Sequence, residues 1–474
     1  TSFFPYYVLN RLSGLIRCSL RLFGIVSCQL FFSQFMTKAS TKFLSSSFVD
    51  DQAASLVLQA WRLNGRDFAE ELLADVLVAS PEIGVLLGEL RSRLDNEPGP
   101  RLLIDGLWFT RAHGGISRVW QQILSTWQLP GLISPEAPVA LIDRDSHLSL
   151  TAAFPCLEGS LVDPLDPQAV SELCSENACI AHDWRADVFC SSWISSTGTV
   201  TPACSELALV HDCMPERSSA LPSGLRNQRR CWLKGARRFL TVSSATANDL
   251  NQLLPSSVGT TEWCHLAPAS VFAETSSAEG TETLWLRLQK RIGLRGPFVL
   301  LPATSAVGSY KNPEFVADAL SHPSLASVVL LLCGIAADQR CRELESLFPS
   351  LRGRVLSSGL SDPELAVVYV RALAVVIPSR IEGFGLPAIE AMAAGGIPLL
   401  ADSRGLREAG GEAALRFSLR DPRELSAMLQ MLLDPSSSEW LKRRLKPRVE
   451  QRLSRLNPDL FGLALLAQAR QASC

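Results

Sequence analysis

The densest chemistry in the chain lies in the stretch AVVIPSRIEGFGLPAIEAMAAGGIP, residues 374–398, where Glu382 directly precedes Gly383-Phe384-Gly385 and Glu390 follows eight positions later. Two glycines let a backbone come close to a ligand. The elements that must position these residues can be read on either side. Ala374 to Ile377 is short, apolar and β-branched, and it is stopped by Pro378, which suits a buried parallel strand. Leu386 to Ala394 is rich in helix formers, with Pro387 in the first turn and Gly395-Gly396 as the stop. The order is therefore strand, tight loop, helix N-terminus. The unpaired N–H groups of that first turn, with the helix dipole, favour an anion such as a phosphate. Both carboxylates can face one crevice, where a hydroxyl-rich ligand would give them hydrogen bonds to accept.

Three other places could contribute. Gly114-Gly115 stands between a first strand, Arg101 to Asp105, and a first helix, where a doubly wound sheet brings its backbone to a ligand. His211 ends a strand read at Glu206 to Val210, and of the six histidines it is the one placed where such sheets bind ligands. Lys311 stands in Val307-Gly308-Ser309-Tyr310-Lys311-Asn312, between the strand Phe298 to Leu301 and the following helix.

The run from Glu382 to Glu390, followed by Ala391-Met392-Ala393-Ala394-Gly395-Gly396-Ile397-Pro398, resembles the E-x7-E signature of glycosyltransferase family 4, the retaining, group 1 glycosyl transferases of GT-B fold. The resemblance covers residues 101–435. It implies an α/β protein with two Rossmann-like doubly wound domains facing a cleft, and transfer of a sugar from a nucleotide-diphosphate donor to a saccharide or lipid-linked acceptor. It further implies a mannosyltransferase-like hexosyl transfer, commonly in polysaccharide or cell-envelope glycan synthesis. His211 and Glu382 are then the catalytic candidates, near the donor sugar. Gly114, Gly115, Lys311, Gly383, Phe384, Gly385, Leu386 and Glu390 form the donor-binding set, with Glu390 on the ribose. No cofactor is implied beyond the donor substrate, and no metal, since no Asp-x-Asp motif stands in a suitable loop. The chain departs from the family where an arginine is expected beside Lys311, because position 310 is Tyr and position 307 is Val, and where Cys190 replaces a common histidine. These departures favour a rival reading, a GT-B scaffold or assembly protein with a decayed donor site; a nucleotide-sugar epimerase on the same scaffold is another.

Composition narrows the rest. A chain of 474 residues suggests two or three domains, and a net charge of −2 gives no sign of a nucleic-acid partner. Thirteen cysteines without a C-x-x-C spacing read as reduced thiols in a cytoplasmic protein. Residues 1–49 form a basic, apolar segment with no acid before Asp50; they read as a targeting stretch, a membrane-surface stretch or sequence upstream of a start at Met36. Residues 50–100 read as a small helical unit and linker, with one apolar stripe formed by Ala53, Leu56, Val57, Ala60 and Leu63, another by Phe68, Leu72 and Val76, and a third from Ile83 to Leu94. The N-terminal Rossmann-like acceptor domain spans 101–270 and the nucleotide-sugar domain 281–435, joined by a Ser-, Ala-, Thr- and Glu-rich drift over 261–280. The last segment, 436–474, is helical and basic, and it is a candidate for peripheral contact with the inner membrane face or a lipid acceptor.

Overall fold

The structure is a computed structural model, and it describes residues 46–79, 83–111, 114–198, 202–217, 223–277, 280–302, 305–334 and 336–474. The N-terminal segment up to residue 45, and His113 in the first glycine loop, lie outside the described residues.

Three helices open the described chain: α1 (Ser46–Asn64), α2 (Arg66–Ala79) and α3 (Val85–Leu94). The apolar stripe of α1 is shifted from the one its spacing suggests. Trp61 joins Ala53, Val57 and Ala60 in the core, while Leu63, at 56% exposure, and Ile83, at 46%, face outward. The first α/β domain follows as β1 (Leu102–Asp105), α4 (Gly115–Trp127), β2 (Val139–Asp143), β3 (Cys156–Glu158), α5 (Pro167–Trp184), β4 (Val188–Ser191), β5 (Ser205–Val210), α6 (Met214–Arg217), α7 (Ser223–Gly235), β6 (Arg238–Thr241), α8 (Ser244–Leu253) and β7 (Thr261–Trp263). Its seven strands are ordered β3-β2-β1-β4-β5-β6-β7, with every named pair parallel.

The connection expected to drift is instead built. After β7 comes α9 (Ser270–Ser277), whose Phe272 is fully buried, and then α10 (Thr281–Ile292). The composition misleads because Val271 and Phe272 alone anchor an otherwise polar helix. The second α/β domain continues as β8 (Phe298–Leu301), α11 (Pro313–Leu320), β9 (Val329–Leu332), α12 (Ala337–Leu347), β10 (Val355–Ser357), α13 (Asp362–Arg371), β11 (Ala374–Ile377), α14 (Leu386–Ala394), β12 (Pro398–Ala401), α15 (Arg404–Gly410), β13 (Leu415–Phe417) and α16 (Pro422–Leu433). Its six strands are ordered β10-β9-β8-β11-β12-β13, again all parallel. The central strands are buried along their whole length, which is why they read as unbroken Val, Leu and Ile runs rather than alternating ones.

Two last helices, α17 (Pro435–Leu453) and α18 (Leu460–Ser473), return the chain to the first domain. Helix α18 is buried along most of its length between α3, α4 and the strands β5 and β6. Trp127 donates through Nε1 to the Gly462 carbonyl at 3.0 Å. The buried Arg93–Glu89 pair (2.7 Å), extended by Arg470 (2.6 Å to the other Glu89 oxygen), ties the opening helices to this last one. No helix among the described residues is long and apolar enough to cross a membrane.

Each sheet changes direction at its first strand: β1 lies between β2 and β4, and β8 lies between β9 and β11. Loops leaving such switch points diverge and open a crevice at the carboxyl ends of the strands. The loops after β1, β8 and β11 are the ones that carry Gly114-Gly115, Lys311 and Glu382-Gly383.

Candidate functional site

Helix α14 starts on a loop that only glycine can complete. Gly385, its N-cap, has φ 121°, and a Cβ there would lie 2.8 Å from Leu406 Cδ2. At Gly383 a Cβ would fall 1.9 Å from the His211 carbonyl oxygen, so this loop of the second domain rests directly on the end of β5 of the first. The Gly383 carbonyl is taken by two hydroxyls at the start of α8, Ser243 Oγ and, at 3.1 Å, Thr246 Oγ1. Across the same gap α4 begins at Gly115, whose Cβ would stand 4.0 Å from Leu386 Cδ1, and Gly114, with φ 124°, has open space beside it. Two helix N-termini, one from each domain, thus approach each other, and both present the positive end of a helix dipole.

Around this point the charged residues are paired. Lys311 Nζ lies 2.6 Å from Glu382 Oε1, which also accepts from Ser379 Oγ at 2.8 Å. Burial alone would depress the Lys311 pKa, but the carboxylate of Glu382, with Tyr310 and Asp212 nearby, outweighs it and holds the ammonium above its ordinary value. The lysine also lies over the Tyr310 ring, 5.1 Å from its centroid. Arg380, the other cation beside the loop, is more than half exposed and turned to Asn312 (3.0 Å) and Glu314 (3.6 Å).

One turn into α14, Glu390 is 1% exposed and has partners on both oxygens. Arg118 Nη1, from α4, donates at 2.8 Å, and Tyr369 OH, from α13, donates at 3.1 Å. Burial nevertheless raises the Glu390 carboxyl above the usual range, against the lowering influence of Arg118 and Tyr369. The second arm of Arg118 reaches Asp362 at the start of α13. Arg118, Asp362 and Glu390 line an interdomain cavity of about 570 Å³, bounded also by Gln122, Ser270 and Leu386. By contrast, the recess between Lys311, Glu382 and Pro387 is only about 10 Å³.

His211 follows directly on β5, with its carbonyl oxygen against Gly383 and its Nε2 buried without a hydrogen-bond partner among the described residues. Desolvation, helped by Arg229, pushes its pKa down to about 3, so the imidazole is neutral across the physiological range. A buried neutral ring nitrogen with no protein partner is suited to a ligand hydroxyl.

The structure therefore places Leu386 and Glu390 on the larger cavity and Lys311 and Glu382 on the small recess, with Gly383 and Gly385 in the loop between them, His211 against Gly383 through its carbonyl, and Gly114-Gly115 across from Leu386. Phe384 is there by backbone only. Its side chain is 2% exposed, stacked on His265 at 5.0 Å, with Arg452 above it at 6.0 Å, so it packs the domain contact instead of lining the donor space. Sequence reasoning missed Arg118, Asp362 and Tyr369. Only Arg118 carried a signal, a charge one turn beyond Gly114 on the strongly amphipathic helix α4. Among the described residues no group of three or more His, Cys, Asp or Glu side chains is placed to hold a metal ion.

Two parallel doubly wound sheets facing a cleft, closed by a C-terminal helix that crosses back, define a GT-B protein. Residues 289–444, most of the second domain, match the family model of the glycosyl transferases group 1. Over 82 residues the chain is 49% identical to an MMP alpha-(1->4)-mannosyltransferase of Mycolicibacterium hassiacum, a match that covers 16% of this chain and 20% of that protein. It is 29% identical over 144 residues to a glycogen synthase of Chlamydia abortus, covering 29% and 30% of the two chains. The matched stretches thus span 20% and 30% of these two relatives. In three dimensions it is similar to Anabaena Alr3699/HepE, solved in complex with UDP-glucose, with a TM-score of 0.57 and 16% identity, over 76% of this chain and 97% of that one.

Proposed function

We propose that this protein is a glycosyltransferase that moves a hexose from a nucleotide-diphosphate sugar to a hydroxyl of a saccharide or lipid-linked acceptor, with retention at the anomeric carbon. The observation that carries the reading is the meeting of two helix N-termini from opposite domains beside the Lys311–Glu382 pair, with His211 in main-chain contact with Gly383. A diphosphate would sit on the N–H groups of Gly383 to Leu386 and beside Gly114-Gly115. Its arrival supplies a second anion for Lys311, which then shares its charge between Glu382 and the phosphate. Glu382 is thereby released to accept hydrogen bonds from the sugar, while Glu390 accepts from the ribose.

In the reaction the bond between C1 of the sugar and the β-phosphate oxygen breaks, and its electron pair stays on the nucleoside diphosphate. The acceptor oxygen forms the new bond to C1 on the same face, and its proton passes to the departing phosphate oxygen. The chain's contribution is stabilisation of the leaving group by preorganised N–H donors and Lys311, for which a single donor is worth on the order of a hundred- to a thousandfold in rate. His211 takes no proton and instead holds a hydroxyl of the donor sugar or acceptor. The cytoplasmic setting, the metal-independent chemistry and a place in polysaccharide or cell-envelope glycan synthesis, with peripheral contact to the inner membrane face through residues 436–474, belong to the same proposal. The mannose preference is supported by the 82-residue match alone.

Replacing Glu382 or Lys311 with Ala is expected to lower turnover by two orders of magnitude or more in a protein that still folds, with a lower melting temperature because the remaining charge loses its partner. Near-normal turnover in both variants would remove these residues from the mechanism.

A further inference from the structure

Arg118 belongs to the first domain, yet most of its contacts are in or beside the second. One arm of its guanidinium meets Glu390, the other Asp362, and its face lies 5.4 Å from the Phe272 ring on α9. Three quarters of the side chain is buried, and it forms part of the wall of the 570 Å³ cavity together with both carboxylates. A buried carboxylate needs a partner to remain ionised, and Glu390 finds its one cation among the described residues across the domain boundary. Arg118 and Tyr369 occupy one lone pair on each Glu390 oxygen, and a carboxylate has about four acceptor positions, so acceptor capacity is left for a ligand.

We infer that Arg118 is a positioning residue for the nucleoside half of the donor: it holds Glu390 in place from the opposite domain, so that recognition of the ribose hydroxyls exists only when the two domains are closed. This rests on the reading of a nucleotide-sugar donor. Nucleoside affinity and domain closure then become one event, because the carboxylate that reads the ribose is fixed by a residue that leaves with the first domain. Asp362 keeps the other arm of Arg118 occupied and so sets the angle at which the guanidinium meets Glu390.

The test is calorimetric titration of wild type, Arg118→Met and Arg118→Lys with UDP, GDP, ADP and dTDP, and of the best-bound of these against its counterpart lacking the ribose hydroxyls. In wild type, removing those hydroxyls is expected to cost roughly tenfold in affinity, the value of a hydrogen bond to a charged group. In Arg118→Met the two nucleotides should bind within about twofold of one another, and Arg118→Lys should restore part of the difference. A discrimination unchanged in Arg118→Met, with nucleotide still bound, overturns the inference and leaves the donor reading standing. If wild type binds none of the four, the donor reading falls and the inference with it. Near-ultraviolet circular dichroism confirms that each variant is folded; if the methionine variant is not, the lysine variant decides, since undiminished ribose discrimination there contradicts the bidentate role.

Discussion

At the scale of single residues, the site is a set of charges that neutralise one another while the crevice is closed. Lys311 with Glu382, and Arg118 with Glu390 and Asp362, leave little net field for an incoming anion except the helix N-termini. His211 differs, its Nε2 being buried without a hydrogen-bond partner among the described residues. Its pH behaviour follows from linkage. With a folded pKa of about 3 and an unfolded value near 6.5, the native state binds fewer protons than the unfolded chain between these limits. The wild type therefore loses stability as pH falls below about 6.5, by at most about 1.4 kcal/mol per pH unit from this group. His211→Asn should lose less on acidification, and melting curves of the two proteins from pH 7.5 to 5 will show the gap. Their difference cancels the opposing contributions of Asp51 and Glu206, both raised to about 7 by burial. A constant gap would contradict a buried, neutral His211. At this scale the sequence offered the two glutamates, the glycines, Lys311 and His211 as candidates, because each stands in a locally readable strand, loop or helix start. It could not reveal that Lys311 pairs with Glu382, 71 residues away, or that Glu390 finds Arg118, 272 residues away.

Among the elements, the decisive one is the loop between β11 and α14. Its two glycines are required for different reasons: Gly385 for a left-handed φ and Gly383 for the absence of a side chain against the His211 carbonyl. Gly385→Ala should destabilise by about 1–2 kcal/mol through backbone strain. Gly383→Ala has a different consequence, since its methyl group overlaps the other domain. It is expected to leave each domain folded but to force the domains apart, raising the radius of gyration in solution scattering and weakening nucleotide binding at least tenfold. An unchanged radius and affinity would show that the loop does not rest on β5 in solution. The strand–loop–helix order was legible because a β-branched run, two glycines and Pro387 each specify their own local conformation. Phe384 was not: an aromatic residue between two glycines in a binding loop reads as a ligand contact, and only the packing of His265 and Arg452 shows it to be interdomain core. Helix α9 was hidden for a related reason, since its burial rests on two apolar residues in a polar stretch.

Over the whole molecule, the two domains are held in register by a carboxylate on a helix N-terminus. Glu408, on α15, accepts from Ser244 N (2.9 Å), Ala245 N (2.6 Å) and Ser244 Oγ (3.0 Å) at the start of α8, and from His265 Nε2 at 3.1 Å. Removing it leaves two main-chain donors unpaired, so Glu408→Ala should destabilise by about 1–3 kcal/mol and shift the population toward open molecules. Chemical denaturation and scattering measure the two effects; loss of neither would mean that the contact is incidental. The α/β character of both domains was readable from alternating strand and helix patterns, and their GT-B arrangement from the resemblance carried by the run from Glu382 to Pro398. The way the cleft closes was not, because no local pattern records which loop of one domain lands on which strand of the other.

The central claim is that the crevice between the N-termini of α4 and α14 binds a nucleotide-diphosphate sugar. The most direct measurement is the melting temperature of the protein with GDP, UDP, ADP and dTDP and their common sugar conjugates. A ligand that binds only the folded state must stabilise it, by about 2.7 kcal/mol at a hundred times its Kd. A clear rise is expected with one base, larger in wild type than in Lys311→Ala. No rise with any of them would contradict that claim, and would instead favour a GT-B scaffold whose donor site has lost its function with the arginine that is absent beside Lys311.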